Sequence, residues 1–545
     1  MTKRNTLKHA LACLGALSLT ACGGGDKNGT QDVGTPRNET NTSVLAARVV
    51  DGYLAGATVY ADLNDNGKLD AFEPRALTDA DGYFSYNHET GTDYCAANAP
   101  AEYEKHCLRA SIAPNTNVVI RATGGYDTAT KLPFEGTLAV RANDLDPQNQ
   151  RFITPYTSLI ANAPAAVQSK LTELGIIPAN PTQYDPIISG NIGYIFNSQI
   201  LQSIGRLQGL AFDAIAEALN MPLSESHFEA YTGISQFFAA RDFSSSGPTL
   251  LCLDSVDDHL DILERQLSNQ GISGLSLSVF TAQAIGYLEG AAKVGSMCRD
   301  LQESFANLDV PNFAPVGKAS QTLLATVGER LAQNPRDQVA EKMMAWANAQ
   351  FQGNTVSSDF IDLGNSDIDP SALTDPDFDF DPATDSLSTY AKIPPEAAWL
   401  LGGLINTSFG VSLNDDDQQG AALFYITGDN GARSGNIDIC VRYRDDSGDF
   451  DTGSASDPNG ALLVNGHWSL VDDHTLALSV DIVGGIRSML IKSVGVDGLD
   501  REYRFNFGSN FSKWRGTAPA AFAVGNKPKS DAECKTALIE SFGQM

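Results

Sequence analysis

The twelve residues from Asp62 to Glu73 constrain the fold more tightly than any other stretch of the chain. They read Asp62-Leu63-Asn64-Asp65-Asn66-Gly67-Lys68-Leu69-Asp70-Ala71-Phe72-Glu73. Oxygen-bearing side chains stand at the first, third, fifth, ninth and twelfth places, with glycine at the sixth and the Lys68 backbone carbonyl at the seventh. That is the spacing of a calcium-binding loop. Calcium takes about six to eight hard oxygens at about 2.3 to 2.6 Å, and this spacing curls Asp62, Asn64, Asn66, Asp70 and Glu73 around one point. Gly67 falls where the chain must turn with positive φ. The flanks are not helical. Val49 to Tyr60 is β-branched and aromatic, broken by Gly52 and Gly56, and Pro74 follows Glu73. The window predicts a lone loop between strands, with the weak affinity of about 10⁻⁴ to 10⁻³ M found in extracellular modules, so calcium here is structural rather than a signal.

Around the loop, Asp51-Gly52-Tyr53-Leu54 precedes Gly56-Ala57, and Thr78-Asp79-Ala80-Asp81-Gly82-Tyr83-Phe84 follows. This order resembles the B-type repeats of bacterial surface proteins and the carboxypeptidase-regulatory-like β-sandwiches. The resemblance implies a β-sandwich over residues 44–150, with Asp79 and Asp81 near the loop as extra ligands or turn caps. Asp81-Gly82 also reads as a plain turn. Further on, Thr154-Pro155-Tyr156-Thr157-Ser158-Leu159 is similar to the junction where such β repeats pass into helical regions.

The N-terminus reads as an address. Met1 to His9 carries Lys3, Arg4 and Lys8 without an acid, and the apolar run Ala10 to Thr20 is too short to span a bilayer. Leu19-Thr20-Ala21-Cys22 follows, then Gly23-Gly24-Gly25. These residues resemble a bacterial lipobox. The resemblance implies a signal peptide over 1–21, lipidation of Cys22, and, because Gly rather than Asp follows the cysteine, a place at the outer membrane. Residues 22–43, rich in Gly, Asn, Thr and Asp, read as a flexible tether.

Eight cysteines are present. With Cys13 in the signal and Cys22 lipidated, Cys95, Cys107, Cys252, Cys298, Cys440 and Cys534 remain. An even set in an exported chain predicts disulfides. Nearest-neighbour pairing joins Cys95 to Cys107, Cys252 to Cys298 and Cys440 to Cys534. No CxxC favours a metal cluster instead.

At 545 residues the chain is too long for one compact core, and length alone suggests about three domains. Residues 151–354 carry apolar residues at helical spacing. The runs are Ala165 to Leu174, Ile187 to Leu219, Leu253 to Leu267, Val279 to Met297 and Ala319 to Leu331, with Pro or Gly breaks between them. They predict an all-α bundle. Phe237, Phe238, Phe243 and Tyr287 read as its core, with a ligand cavity as the alternative. His227 and His259 lie beside acids but form no metal spacing, and read as solvated faces. Residues 355–392 read as an acidic linker held extended by self-repulsion, with no Lys or Arg among 355–386. The alternating Asp375, Asp377, Asp379 and Asp381 offer a second cation site. From 393 to 545 the pattern alternates as in strands. Gly466-His467-Trp468-Ser469-Leu470 followed by Thr475-Leu476-Ala477-Leu478 resembles lipocalin-type barrels or sandwiches. Asp445 to Asp451 is a third, poorer calcium loop. The expected architecture is therefore multidomain α+β: an N-terminal β-sandwich, a central all-α bundle and a C-terminal antiparallel β barrel or sandwich.

The formal charge is -29, which argues against nucleic acid as a partner and suits divalent cations. No GxSxG, GxGxxG or P-loop is present. These features describe a non-enzymatic, lipid-anchored envelope protein with calcium-stiffened modules, meeting an envelope protein or a glycan. The alternatives are a lipoprotein binding a small molecule, glycan or lipid for an uptake system, and a hydrolase whose site gathers from distant positions.

Overall fold

The computed structural model describes residues 42–545 except for 113–116, 189–191, 220–225, 273–280, 306–312, 353–354, 366–367, 376–377, 391, 394–397, 400–404, 415–417, 428–432, 446–459, 472, 483–484, 498–499, 507–510, 518 and 543–545. The expected signal and lipidation site Cys22 lie outside the described residues, as does the expected tether except for Thr42 and Ser43, which belong to a strand, Thr42–Val44, paired with Arg109–Ser111. Asp377 and most of the loop from Asp445 to Asp451 also lie outside the described residues. Helices and strands are both plentiful, and the chain divides into Thr42–Ile393 and a unit containing Pro394–Met545.

In the first unit the central sheet runs in the order Thr137–Arg141, Val119–Thr123, Thr58–Asp62, Arg75–Leu77, antiparallel throughout. Val59, Ala61, Ile120, Ala122, Leu138 and Val140 alternate along three of these strands and are buried. A smaller sheet sets Ala47–Val49 between Tyr83–Phe84 and the parallel strand Phe152–Ile153. The chain then enters helix at the expected element. Thr154 caps Pro155–Ile160 by accepting from the Thr157 N–H at 3.2 Å, while the Thr157 hydroxyl accepts the Thr154 N–H at 2.9 Å.

Long helices follow at Ile192–Ala218, Ser226–Ala240, Val256–Asn269, Ala282–Phe305 and Phe313–Gln333. Ile204, Leu207, Ala211 and Ile215 form a buried stripe on the first of them. Phe237 and Phe238 are fully buried and meet edge to face at 5.3 Å, as core aromatics.

A boundary near residue 150 does not separate two cores. One continuous apolar cluster runs from Leu45 through the strands and helices to Leu387. Hydrogen bonds stitch the transition: the Ala139 N–H donates to the Ser158 hydroxyl at 2.8 Å, and the Thr157 hydroxyl donates to the Ala139 carbonyl at 2.7 Å. The strands and helices each bury one apolar face, and here each covers the other.

The stretch 355–392, expected as an extended linker, is folded in its described parts. Helix Ser358–Asn365 and shorter turns carry Phe360, Leu363, Ile368, Leu373, Phe378, Phe380 and Leu387 into the same core. Phe378 and Phe380 alternate with Asp379 and Asp381, so the period that lines up the acids also lines up buried rings. Buried Arg330 fastens the segment. It donates to the Leu373 and Asp375 carbonyls at 2.8 and 2.9 Å and pairs with Asp337 at 3.0 Å.

The second unit is a curled antiparallel sheet. Strands Thr407–Asn414, Gln418–Thr427, Ser434–Asp445, Leu462–Leu470, Thr475–Ile482, Gly485–Asp497, Asp500–Asn506 and Phe511–Thr517 pair in sequence order. The first of them also pairs with the last, Val411 opposite Gly516, so the ladder returns to its own start. Phe409, Phe424, Trp468, Leu478, Ile491, Tyr503 and Phe505 share one apolar core. On the other face, helix Asp531–Phe542 packs against Ala421, Leu423 and Tyr425 around Cys440 and Cys534.

Candidate metal centre

The twelve-residue window is the connection of an antiparallel hairpin. Asp62 ends strand Thr58–Asp62, and Glu73 stands just before Arg75–Leu77. Gly67 takes φ 75°, the turn its position demanded, and Asp65 takes φ 55° beside it. Tyr60 reaches under the turn and donates its hydroxyl to the Gly67 carbonyl at 3.0 Å.

The side chains bind the loop from within. Asp62 is buried; its Oδ2 accepts the Gly67 N–H at 2.9 Å and its Oδ1 the Asn66 N–H at 3.1 Å. Buried Glu73 accepts the Leu63 N–H at 2.8 Å on Oε1 and the Asp70 N–H at 2.9 Å on Oε2. Asn64 and Asn66 each donate an amide N–H to Asp70 Oδ2 at 2.8 Å. Asn64, Asn66 and Asp70 therefore converge, while Asp62 and Glu73 close the two ends. A half-turn of either amide brings its carbonyl oxygen to the point its nitrogen now faces. This hard-oxygen set suits calcium.

A counter-ion is built in. Arg121, wholly buried, donates to Asp62 Oδ2 at 2.6 Å and reaches Asp65 Oδ1 at 3.3 Å. It arrives from the neighbouring strand, where it stands opposite Tyr60. Asp65 titrates above its ordinary range; burial raises it most, Arg121 opposes, and Asp62 adds to the rise. Among the described residues no group of three or more His, Cys, Asp or Glu is placed to hold a metal ion. A cation held here would draw on amide and backbone oxygens as well as carboxylates. Lys68 contributes backbone, its N–H going to Asn66 Oδ1 at 2.8 Å. Leu63 and Phe72 stand exposed on the loop.

Asp79 and Asp81 act on a turn. Asp79 Oδ1 accepts the Asp81 and Tyr83 N–H groups at 2.9 and 2.8 Å, and Oδ2 accepts from Asn87 at 2.9 Å and the Tyr94 hydroxyl at 2.6 Å. Of the second acidic set, Asp379 pairs with Lys342 at 3.1 Å, and the Asp381 N–H is taken by Asp385 at 2.8 Å. These acids hold local structure.

The sulfurs of Cys95 and Cys107, Cys252 and Cys298, and Cys440 and Cys534 lie at bonding distance. His259 is not on a solvated face. It is fully buried, with Nδ1 bonded to Gln208 at 2.9 Å and Nε2 to the Leu253 carbonyl at 3.0 Å. Burial lowers it to about 4, leaving a neutral core ring. The His227 side chain lies outside those described.

Sequence reasoning missed several acids that are buried in the first unit. Asp51, Asp127, Asp185 and Glu329 are buried polar residues far apart in sequence. Their only local signal is Asp51 followed by Gly52, where the backbone passes close to another group. No protein-family model matches this chain, and no curated protein or solved structure does either.

Proposed function

We propose that this chain is a non-enzymatic, lipid-anchored envelope protein whose hairpin loop Asp62–Glu73 takes a structural calcium ion. The observation that carries the calcium reading is the convergence of Asn64 and Asn66 on the Asp70 carboxylate, with Asp62 and Glu73 sealing the loop. Arg121 already offsets part of the loop charge, so the hairpin stands without the ion and calcium adds rigidity at low affinity. Cys22, read as a lipid-bearing residue, moors the body at the outer membrane. The folded units then present surfaces to an envelope protein or a glycan. In this reading the strands of 44–150 form a reduced sandwich that leans on the helices, and the C-terminal sheet is a filled barrel. Its stacked rings, Phe409 on Phe424 at 4.8 Å and on Tyr503 at 5.3 Å, support filling over a ligand cavity.

Calcium titration of thermal unfolding tests the metal. The wild-type transition rises with millimolar calcium, and in a variant carrying both Asp62→Ala and Glu73→Ala it does not. An equal calcium response in both proteins rejects the site. Membrane fractionation of Cys22→Ser tests the anchor: the variant leaves the membrane, and continued partition removes that part of the reading.

A further inference from the structure

The strands of the first unit meet its helices across a seam rich in acids. Asp51 and Asp127 are each 8% exposed. Asp127 ends strand Tyr126–Asp127 and accepts from the Ala129 N–H at 2.8 Å, the Thr130 hydroxyl at 2.8 Å and Gln321 of helix Phe313–Gln333 at 3.1 Å. Gly52 is packed flush against that carboxylate; a Cβ there would lie 1.9 Å from Asp127 Oδ1. Asp51, one residue earlier, faces Gln199 of helix Ile192–Ala218 at 3.4 Å. Further along, Arg206 of the same helix pairs with both Glu135 from the strand side and Glu329 from helix Phe313–Gln333. Helix Ser226–Ala240 contributes Tyr231, which donates to Gln202 at 2.8 Å and feels the Asp51 charge. Helix Ala282–Phe305 contributes Tyr287 near Arg206. Lys131 lies near Asp127, and Arg48 stacks over Tyr53, whose hydroxyl donates to Asp185 at 3.0 Å.

We propose that this seam is a pH-responsive latch: its carboxyls outnumber its cations, so acidification tightens the strands onto the helices and alkalinisation loosens them. Asp51 is the proton-holding member. It faces an amide and another acid, whereas Arg206 is already shared between Glu135 and Glu329. The electrostatics agree. Burial, then Asp127, raises Asp51 well above the ordinary aspartate range, and burial raises Asp127 and Glu135 as well. An acid whose folded value is raised binds its proton more tightly when folded than unfolded. Its folded form gains as pH falls from the raised value to the unfolded value of about 3.9, and carries the full penalty above that window.

Two measurements on the full chain decide the matter. In the first, urea unfolding is compared for wild type and Asp51→Asn between about pH 5 and about pH 8. The ratio of folding constants, variant over wild type, rises with pH by about tenfold or more over that range. A ratio that does not change with pH, or that falls as pH rises, overturns the latch. In the second, infrared spectra of wild type at about pH 6, above the range of ordinary carboxyls, show a protonated-carboxyl band that is weakened in Asp51→Asn. This readout does not depend on the variant folding, because absence of any such band in wild type overturns the proposal on its own.

Discussion

The two units solve the burial problem in opposite ways. In Pro394–Met545 the sheet curls around stacked aromatic rings, and a disulfide-tethered helix covers part of its outer face. In Thr42–Ile393 short strands and long helices share one core that also encloses ion pairs, amides and hydrogen-bonded acids. A ladder that returns to its own first strand satisfies its backbone internally and leaves an apolar interior. A seam between unlike elements has no such ladder, so side chains must satisfy what the backbones cannot. The first arrangement favours stability. The second leaves groups whose charge state answers to solution conditions.

Four variants break or sharpen that contrast. The largest effect is expected from Cys440→Ser with Cys534→Ser. The bridge spans 94 residues, and its loss costs the sheet unit about 4 to 5 kcal/mol in the chain-entropy model, while the unfolding transition of the first unit stays in place. Movement of both transitions together by calorimetry shows that the units do not unfold independently. Next, Phe424→Ala removes a buried ring from the stack and costs about 3 to 4 kcal/mol, again in the sheet unit. A cost below about 1 kcal/mol indicates an interior able to collapse or fill with water, and reopens the ligand-binding reading.

In the first unit, Arg330→Ala strips the partner from Asp337 and from the Leu373 and Asp375 carbonyls. Chemical denaturation is expected to show a loss of about 3 kcal/mol, with faster proteolysis between 366 and 392. An unchanged denaturation midpoint restores the description of that stretch as a linker. The smallest effect belongs to Thr154→Ala. Loss of the cap costs about 1 kcal/mol in a thermal melt, and a melt identical to wild type means that the strand-to-helix junction is held by packing alone.

Much of the local structure was legible. The helical stripes, the Thr154-Pro155 entry and the alternation around Trp468 each depend on neighbours within a few residues. The Ser226–Ala240 helix falls outside the helical runs of the sequence, because its apolar periodicity is diluted by Gly, Ser and Thr. The acidic stretch was misread for a related reason. Nine aspartates dominated the charge pattern, while Phe360, Phe378 and Phe380 carried the packing.

By itself the sequence determined that Asp62 to Glu73 turns at Gly67 with its oxygens gathered, since ligand spacing and glycine's conformational range are local properties. Tertiary structure alone decided that Arg121 would meet Asp62 from the adjacent strand, that strands and helices would share one core, and that Asp51 and Asp127 would lose their water together. The physical reason is that desolvation and ion pairing depend on distance in space, and these partners lie tens to hundreds of residues apart along the chain.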